Sequence, residues 1–333
     1  MNEEAIDMHV HFGAPEDEES GCYWSEEFES GVAFLAMRLV TNNLFGKITI
    51  RRVKKHLLGV INSAEKVNKT VLLALDEVYD EAGDVQRKKT HLHVPNSYLA
   101  ELARENDRVL FGASIHPFRP DWEGELQRCL DNEAVLCKWI PSSQQIDLMH
   151  PKCLPFYEKL AENDLPLLCH VGPEAAIPPF DKPSQELNSP RFLRTALDAG
   201  VTVIAAHAAL PLLPPPLESD RHYRELVDLF NEGSSKNWKL YADLSAINLG
   251  PRHLYIDKIK RDIPADRLVF GSDYPIPILD ISQSPHLSLW KWLKHFCQTI
   301  CVKNPLDKNY VLIKNMEFDK ELFHNASNIL RLK

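Results

Sequence analysis

Short, nearly continuous apolar runs recur along the chain, spaced so that a helix fits between most of them. Eight stand out: AIDMHVHF (5–12), TVLLALDEV (70–78), RVLFGASIHP (108–117), AVLCKWIP (134–141), LPLLCHVG (165–172), VTVIAAHAAL (201–210), WKLYADLSA (238–246) and RLVFGSDYP (267–275). Runs that are apolar at most positions suit parallel strands covered on both faces, since a half-exposed strand would alternate. Between them, PNSYLAELAREND (95–107), CLPFYEKLAEND (153–164), SPRFLRTALDAG (189–200) and RHYRELVDLFNEG (221–233) repeat apolar residues every three or four positions, as amphipathic helices do. Ser189 before Pro190 reads as an N-cap with proline in the first helical position. Strand and helix in repeated alternation predict an α/β fold, a (β/α)8 TIM barrel, with 1–333 forming one domain.

Two segments depart from the repeating unit. Residues 13–69 are too long for one crossover helix and read as an insertion covering the barrel mouth. Residues 276–333 follow the eighth strand and contain WKWLKHF and a terminal helix, ELFHNASNILRLK. The cluster PLLPPP (211–216) reads as a stiff βα loop, because another strand and helix follow it.

Composition narrows the class. With 333 residues, 44% hydrophobic, 26% charged and 13 glycines, the chain is an ordinary globular one. A formal net charge of −9 offers no field for nucleic acid, and no apolar run approaches the ~18 residues of a membrane span. The first residues, Met1-Asn2-Glu3-Glu4, are acidic, unlike a secretory signal. Seven cysteines without a CxxC pair read as reduced thiols, and a cytoplasmic location is expected. The expected partner is a small-molecule substrate, with no nucleic acid and no membrane. Oligomeric state is left open, a homo-oligomer included.

The polar residues on the strands carry the chemistry. His9 and His11 end the first strand, Lys138 lies near the end of the fourth and His170 ends the fifth. His207 lies near the end of the sixth and Asp273 ends the eighth. All six therefore fall at the C-terminal rim, where enzymes of this architecture keep their active sites. His9 and His11 are two apart in an extended chain, so they share a face at roughly 6.5–7 Å along the strand. Imidazole nitrogen and carboxylate oxygen together suit zinc or another divalent metal. A lone histidine in an apolar strand is usually a satisfied core residue; it is the joint pattern over five strands that points to a metal site.

The sequence resembles the amidohydrolase superfamily of metal-dependent barrel enzymes, in the branch that holds simple hydrolases and decarboxylases. The resemblance rests on IDMHVHFG (6–13), SIHPFRPD (114–121), CKWIPSSQQID (137–147), LLCHVGPE (167–174), IAAHAAL (204–210), FGSDYPIP (270–277) and HNASNIL (324–330), and is weakest over 13–69. It implies that His9, His11, His170 and Asp273 bind a metal. It further implies that Lys138, carboxylated by carbon dioxide, can bridge two ions, the second held by His207. A one-metal variant leaves His207 free for catalysis. The full set permits one or two ions.

Other features have two readings each. His116 ends the third strand and lines a substrate pocket or packs under Pro117. Glu174 orients substrate or water, or caps the next helix. Arg119, with Arg51 and Arg52, is a candidate to grip a substrate carboxylate. His91 and His93 form a second HxH, read as loop or helix entry. KITIRRVKKHL (47–57) is a solvated helix face or an attractor of acids, and Tyr23 and Trp24 are lid or core. Cys297 and Cys301, at i, i+4 spacing, suit helix packing. No GxGxxG, GxxxxGK[ST], HExxH or GxSxG occurs, so dinucleotide, P-loop, zincin and serine-hydrolase readings have no anchor. The preferred reading is a hydrolase that activates water with a metal against an amide, ester or lactone, with Asp273 and His207 as catalytic residues. The alternatives are a decarboxylase of an aromatic or unsaturated acid and a silent barrel used as a binding platform.

Overall fold

The computed structural model of the chain describes residues 5–41, 47–178, 183–213, 216–278 and 289–332. Its strands are β1 (Ile6–His11), β2 (Tyr23–Trp24), β3 (Lys69–Leu73), β4 (Leu92–His93), β5 (Val109–Ala113), β6 (Leu136–Trp139), β7 (Leu167–Cys169), β8 (Val203–Ala205), β9 (Leu240–Asp243) and β10 (Leu268–Val269). Eight of them pair in parallel in the order β1-β3-β5-β6-β7-β8-β9-β10, and each lies within or across one of the eight apolar runs. The first and last strands close the ring: Met8 N donates to Phe270 O, Asp273 N to His9 O and His11 N to Tyr274 O. This is the (β/α)8 barrel.

Side chains alternate as the pleat requires. Ile6, Met8, Val71, Leu73, Leu136, Leu168, Ile204 and Val269 fill the barrel interior as one buried cluster, whereas Leu72, Cys137, Trp139, Cys169 and Ala205 pack outward under the helices. From the far end Ala326, Ile329 and Leu330 join the interior cluster, so the C-terminal segment plugs the bottom of the barrel. The expected terminal helix over ELFHNASNILRLK is broken into a 3-10 turn, Lys320–Phe323, and one α turn, Ala326–Ile329. Between them the Asn325 amide donates to Leu268 O, tying the break to the last strand.

Segment 13–68 carries β2 and the helices Glu26–Glu29, Val32–Val40 and Ile50–Asn62. β2 pairs antiparallel with β4, Tyr23 opposite His93 and Trp24 opposite Leu92. Two-residue strands are too short to leave a periodic trace, so this ribbon was invisible in the sequence. It places His93 in a strand rather than a loop, with Nδ1 3.0 Å from Leu75 O, while His91 Nδ1 lies 2.8 Å from Ser25 Oγ. Ser189 does precede Pro190, but its hydroxyl donates to Glu225 Oε2 instead of capping the helix. All seven cysteines are unpaired, with Cys297 and Cys301 exposed. The cluster PLLPPP lies partly outside the described residues. Among the described residues no helix is long and apolar enough to cross a membrane.

Candidate metal centre

The functional side chains sit one inward step above the apolar filling of the barrel. Lys138 follows Leu136 by two, His170 follows Leu168 by two, and Asp243 follows Tyr241 by two. β1 needs a correction to reach the same geometry. Its register against β3 shifts between Asp7 and Val10, a bulge, so Met8 faces the interior and His9 and His11 still reach the mouth. Gly271 makes room for them: a Cβ there would lie 2.8 Å from His9 Cβ.

The six residues expected at the rim are brought together. One ligand atom each from His9, His207 and Asp273 lie within 4.8 Å of one another. His11 Nε2 is 3.1 Å from His9 Nε2 and 3.2 Å from Asp273 Oδ1, and Lys138 Nζ is 3.1 Å from His9 Nε2. The ring centre of His170 lies 4.9 Å from that of His207. Past β8 the chain takes three consecutive left-handed residues, His207, Ala208 and Ala209, at φ 57°, 48° and 51°. Such conformations are costly for residues with a Cβ and persist where surrounding structure holds them. Here the His207 amide donates to Asp243 Oδ1 at 2.8 Å, and Nδ1 lies 2.7 Å from Ser245 Oγ.

Burial sets the charge states. It lowers His9 to about 4, reinforced by the Lys138 charge and resisted by Asp243. It also lowers His170 and takes His207 far below its ordinary value. On Asp273 and Asp243 burial works upward but is outweighed by the neighbouring histidines, so both carboxyls stay well below the usual range. Lys138, wholly buried, is pushed down by desolvation in spite of Asp243 and Asp273. His9, His170 and His207 are therefore neutral and Asp243 and Asp273 ionised, which are the metal-binding forms of both groups.

The donor set suits a divalent metal. Asp243 Oδ2 accepts from His9 Nδ1 at 2.8 Å, which turns the Nε2 lone pair toward His11, Lys138 and Asp273. Among the described residues His170 Nε2 is buried without a hydrogen-bond partner. A buried nitrogen left unpaired beside oriented imidazoles and a carboxylate is what a cation site requires.

The sequence matches the amidohydrolase family over residues 6–307. The chain belongs to the amidohydrolase family. It is accordingly an enzyme, in general terms a metal-dependent hydrolase or decarboxylase. No curated protein sequence matches it. Solved structures share the fold at low identity. An uncharacterised TIM-barrel protein of Bordetella bronchiseptica has a TM-score of 0.55 at 16% identity, over 97% of this chain and 99% of that one. A 2,6-dihydroxybenzoate decarboxylase complexed with 2,6-dihydroxybenzoate has a TM-score of 0.53 at 17% identity, over 95% and 99%. An amidohydrolase of Burkholderia multivorans with bound zinc has a TM-score of 0.51 at 13% identity, over 95% and 100%.

In this amidohydrolase a cavity of about 380 Å³ opens onto the centre, lined by His11, His170, Glu174, His207, Arg252 and Asp273 among others. Phe28, Ala36 and Met37 from segment 13–68 form part of its wall. Glu174 caps no helix; Oε1 accepts from the amides of Ala176 and Ile177, and Oε2 lies 3.4 Å from His170 Nδ1.

Two expected substrate residues do not line this cavity. His116 is wholly buried, with Nε2 donating to Gln144 O at 3.0 Å and Nδ1 accepting from Phe118 N at 3.1 Å. Arg119 is held by Asp76 at 3.0 Å and Asp121 at 2.8 Å. Both residues follow β5, and their polar atoms are spent on loop structure. Arg52, Lys55 and His56 line a separate groove with Lys66 and Lys303.

Asp243, Ser245 and Arg252 escaped the sequence reading. A signal existed for Asp243, an acid ending the apolar seventh strand at the rim level of the other five. Arg252 had none, because it reaches the cavity from the 3-10 turn Gly250–Tyr255. It is almost wholly buried and donates to the carbonyls of Pro211, Leu210 and Ala246.

Proposed function

We propose that this chain is a hydrolase that uses zinc and an activated water on the carbonyl of a small amide, ester or lactone. The observation that carries the reading is the convergence of His9, His207 and Asp273, whose ligand atoms lie within 4.8 Å. His9, His11, His170 and Asp273 would hold the ion, with Lys138 and His207 available to a second. A divalent ion in such a site lowers the pKa of water from ~15.7 towards 7 and polarises a carbonyl. Asp273, ionised and facing the cavity, accepts the proton of the attacking water and passes it to the leaving group. His207 Nδ1 faces the Ser245 carbonyl and a Ser245 hydroxyl that itself donates to Asp243, so Nδ1 carries the proton and the Nε2 lone pair is left for an ion. Asp243 holds both histidines in place. Imidazole and carboxylate donors are compatible with zinc, and the zinc in the Burkholderia amidohydrolase supports that choice.

The test is paired. His9→Ala and Asp273→Asn are assayed for bound metal by mass spectrometry and for turnover of amide, ester and lactone panels. His9→Ala should lose metal and activity together, while Asp273→Asn should lose at least a hundredfold in kcat. Full metal content and turnover in His9→Ala refutes the assignment.

Arg252 favours a second reading, a decarboxylase of an aromatic or unsaturated acid. It is a buried guanidinium on the cavity wall and, among the described residues, has carbonyl partners but no carboxylate. Three of its five N–H groups are used, leaving two for a substrate carboxylate. Carbon dioxide release without net addition of water, abolished in Arg252→Met, would establish this reading over hydrolysis. A barrel used only as a binding platform would bind no divalent ion.

A further inference from the structure

Beside His11 a second chamber of about 100 Å³ adjoins the cavity. His11, Phe28, Met37, Leu92 and Pro275 line both spaces, so the two adjoin across these side chains. The chamber's own walls include Phe12, Trp24, Phe34 and Leu57, largely from segment 13–68. Trp24, Phe28 and Phe34 pack ring against ring, with centres 4.9 Å (Trp24–Phe34), 5.4 Å (Phe28–Phe34) and 6.2 Å (Trp24–Phe28) apart. Such a cluster is stiff, because each ring is held by two others. The polar atoms on the walls are already engaged. Thr41 Oγ1 donates to Met37 O at 2.9 Å, and His56 Nε2 lies 2.8 Å from Tyr274 OH. A water needs two to four polar partners, and this wall offers few, so the space suits carbon.

We propose that this chamber is the specificity subsite of the enzyme, taking an unbranched apolar substituent of the substrate while the reacting group lies at His9 and Asp273. The assignment rests on the reading of that cluster as the metal-bearing reaction centre. At ~30 Å³ for a water-sized group, the chamber holds roughly three or four carbons. Filling it should raise affinity about fourfold per methylene until the space is full. Trp24 is thus part of a substrate wall, which answers the question of lid or core left open by its sequence position. Leu57 lines the chamber but not the main cavity, so it sets depth without touching the reacting atoms.

Straight-chain aliphatic hydroxamates from acetyl to octanoyl, titrated calorimetrically into zinc-loaded protein, test the proposal. Affinity should rise about fourfold per methylene and level off at about the pentanoyl member. Leu57→Ala should move that break to longer chains and Leu57→Phe to shorter ones. Hydroxamates that bind with no dependence on chain length in all three proteins overturn the subsite and leave the metal reading intact. If none binds, the metal reading fails, and crystals of metal-free protein under xenon then decide the chamber separately. Xenon between Phe34 and Leu57 supports an apolar subsite, and its absence there overturns the proposal.

Discussion

Asp243 and His9 share a hydrogen bond of 2.8 Å between Oδ2 and Nδ1, although they stand 234 positions apart. The second oxygen of the same carboxylate accepts the backbone amide of His207. One buried acid thus fixes the tautomer of one imidazole and the backbone of another. Replacing such a partner typically costs 10–100-fold in metal affinity. Asp243→Asn should weaken zinc binding by about that factor with unchanged far-UV circular dichroism, as measured by competition with a chelating dye. Unaltered affinity would show that His9 is oriented by Ser245 instead.

Gly172 lies against the left-handed turn that carries His207. It has φ +86°, and a Cβ there would meet the backbone of Ala209 at 3.3 Å. Both the conformation and the close approach demand glycine. Gly172→Ala should cost about 1–3 kcal/mol in urea unfolding and lower kcat through displacement of His207. A variant as stable and active as the parent would mean that the turn yields freely.

Arg119 and Arg252 should behave in opposite ways. Arg119 compensates the buried carboxylate of Asp76, and removing one member of a buried pair typically costs about 3 kcal/mol or more. Arg119→Ala should therefore lower the urea midpoint and leave KM within about twofold, because Arg119 does not line the cavity. Unchanged stability with a raised KM would return Arg119 to the substrate site.

His116 supplies a pH signature away from the centre. Burial lowers it to about 4, against 6.5 in the unfolded chain. Between those values the unfolded chain binds a proton that the folded chain excludes. Stability contributed by the neutral imidazole is thus complete above pH 6.5 and is lost as pH falls towards 4. At 1.36 kcal/mol per unit the loss amounts to about 3 kcal/mol. Urea unfolding at pH 7 and pH 4.5 should show His116→Gln losing less stability than the parent by most of that amount. Equal losses in both proteins would place the titration elsewhere.

The barrel and the rim positions were legible because they depend on local rules. Strands covered on both faces are apolar nearly throughout, and a period of two carries Leu136 to Lys138 and Leu168 to His170 on one face. Six polar residues at strand ends therefore disclose one mouth from the order of residues alone. The roles of the remaining residues were decided by closure of the ring and by loops packed over it. Sequence position put His116 at the end of the third strand and offered Arg119 as a grip for a carboxylate, but Gln144 and Asp76 occupy their polar atoms, and only tertiary structure brings those partners near. The β2–β4 ribbon, the aromatic chamber under segment 13–68 and the approach of Arg252 depend likewise on contacts between distant stretches. Periodicity records which face a residue occupies; what lies opposite that face is set by the folded chain.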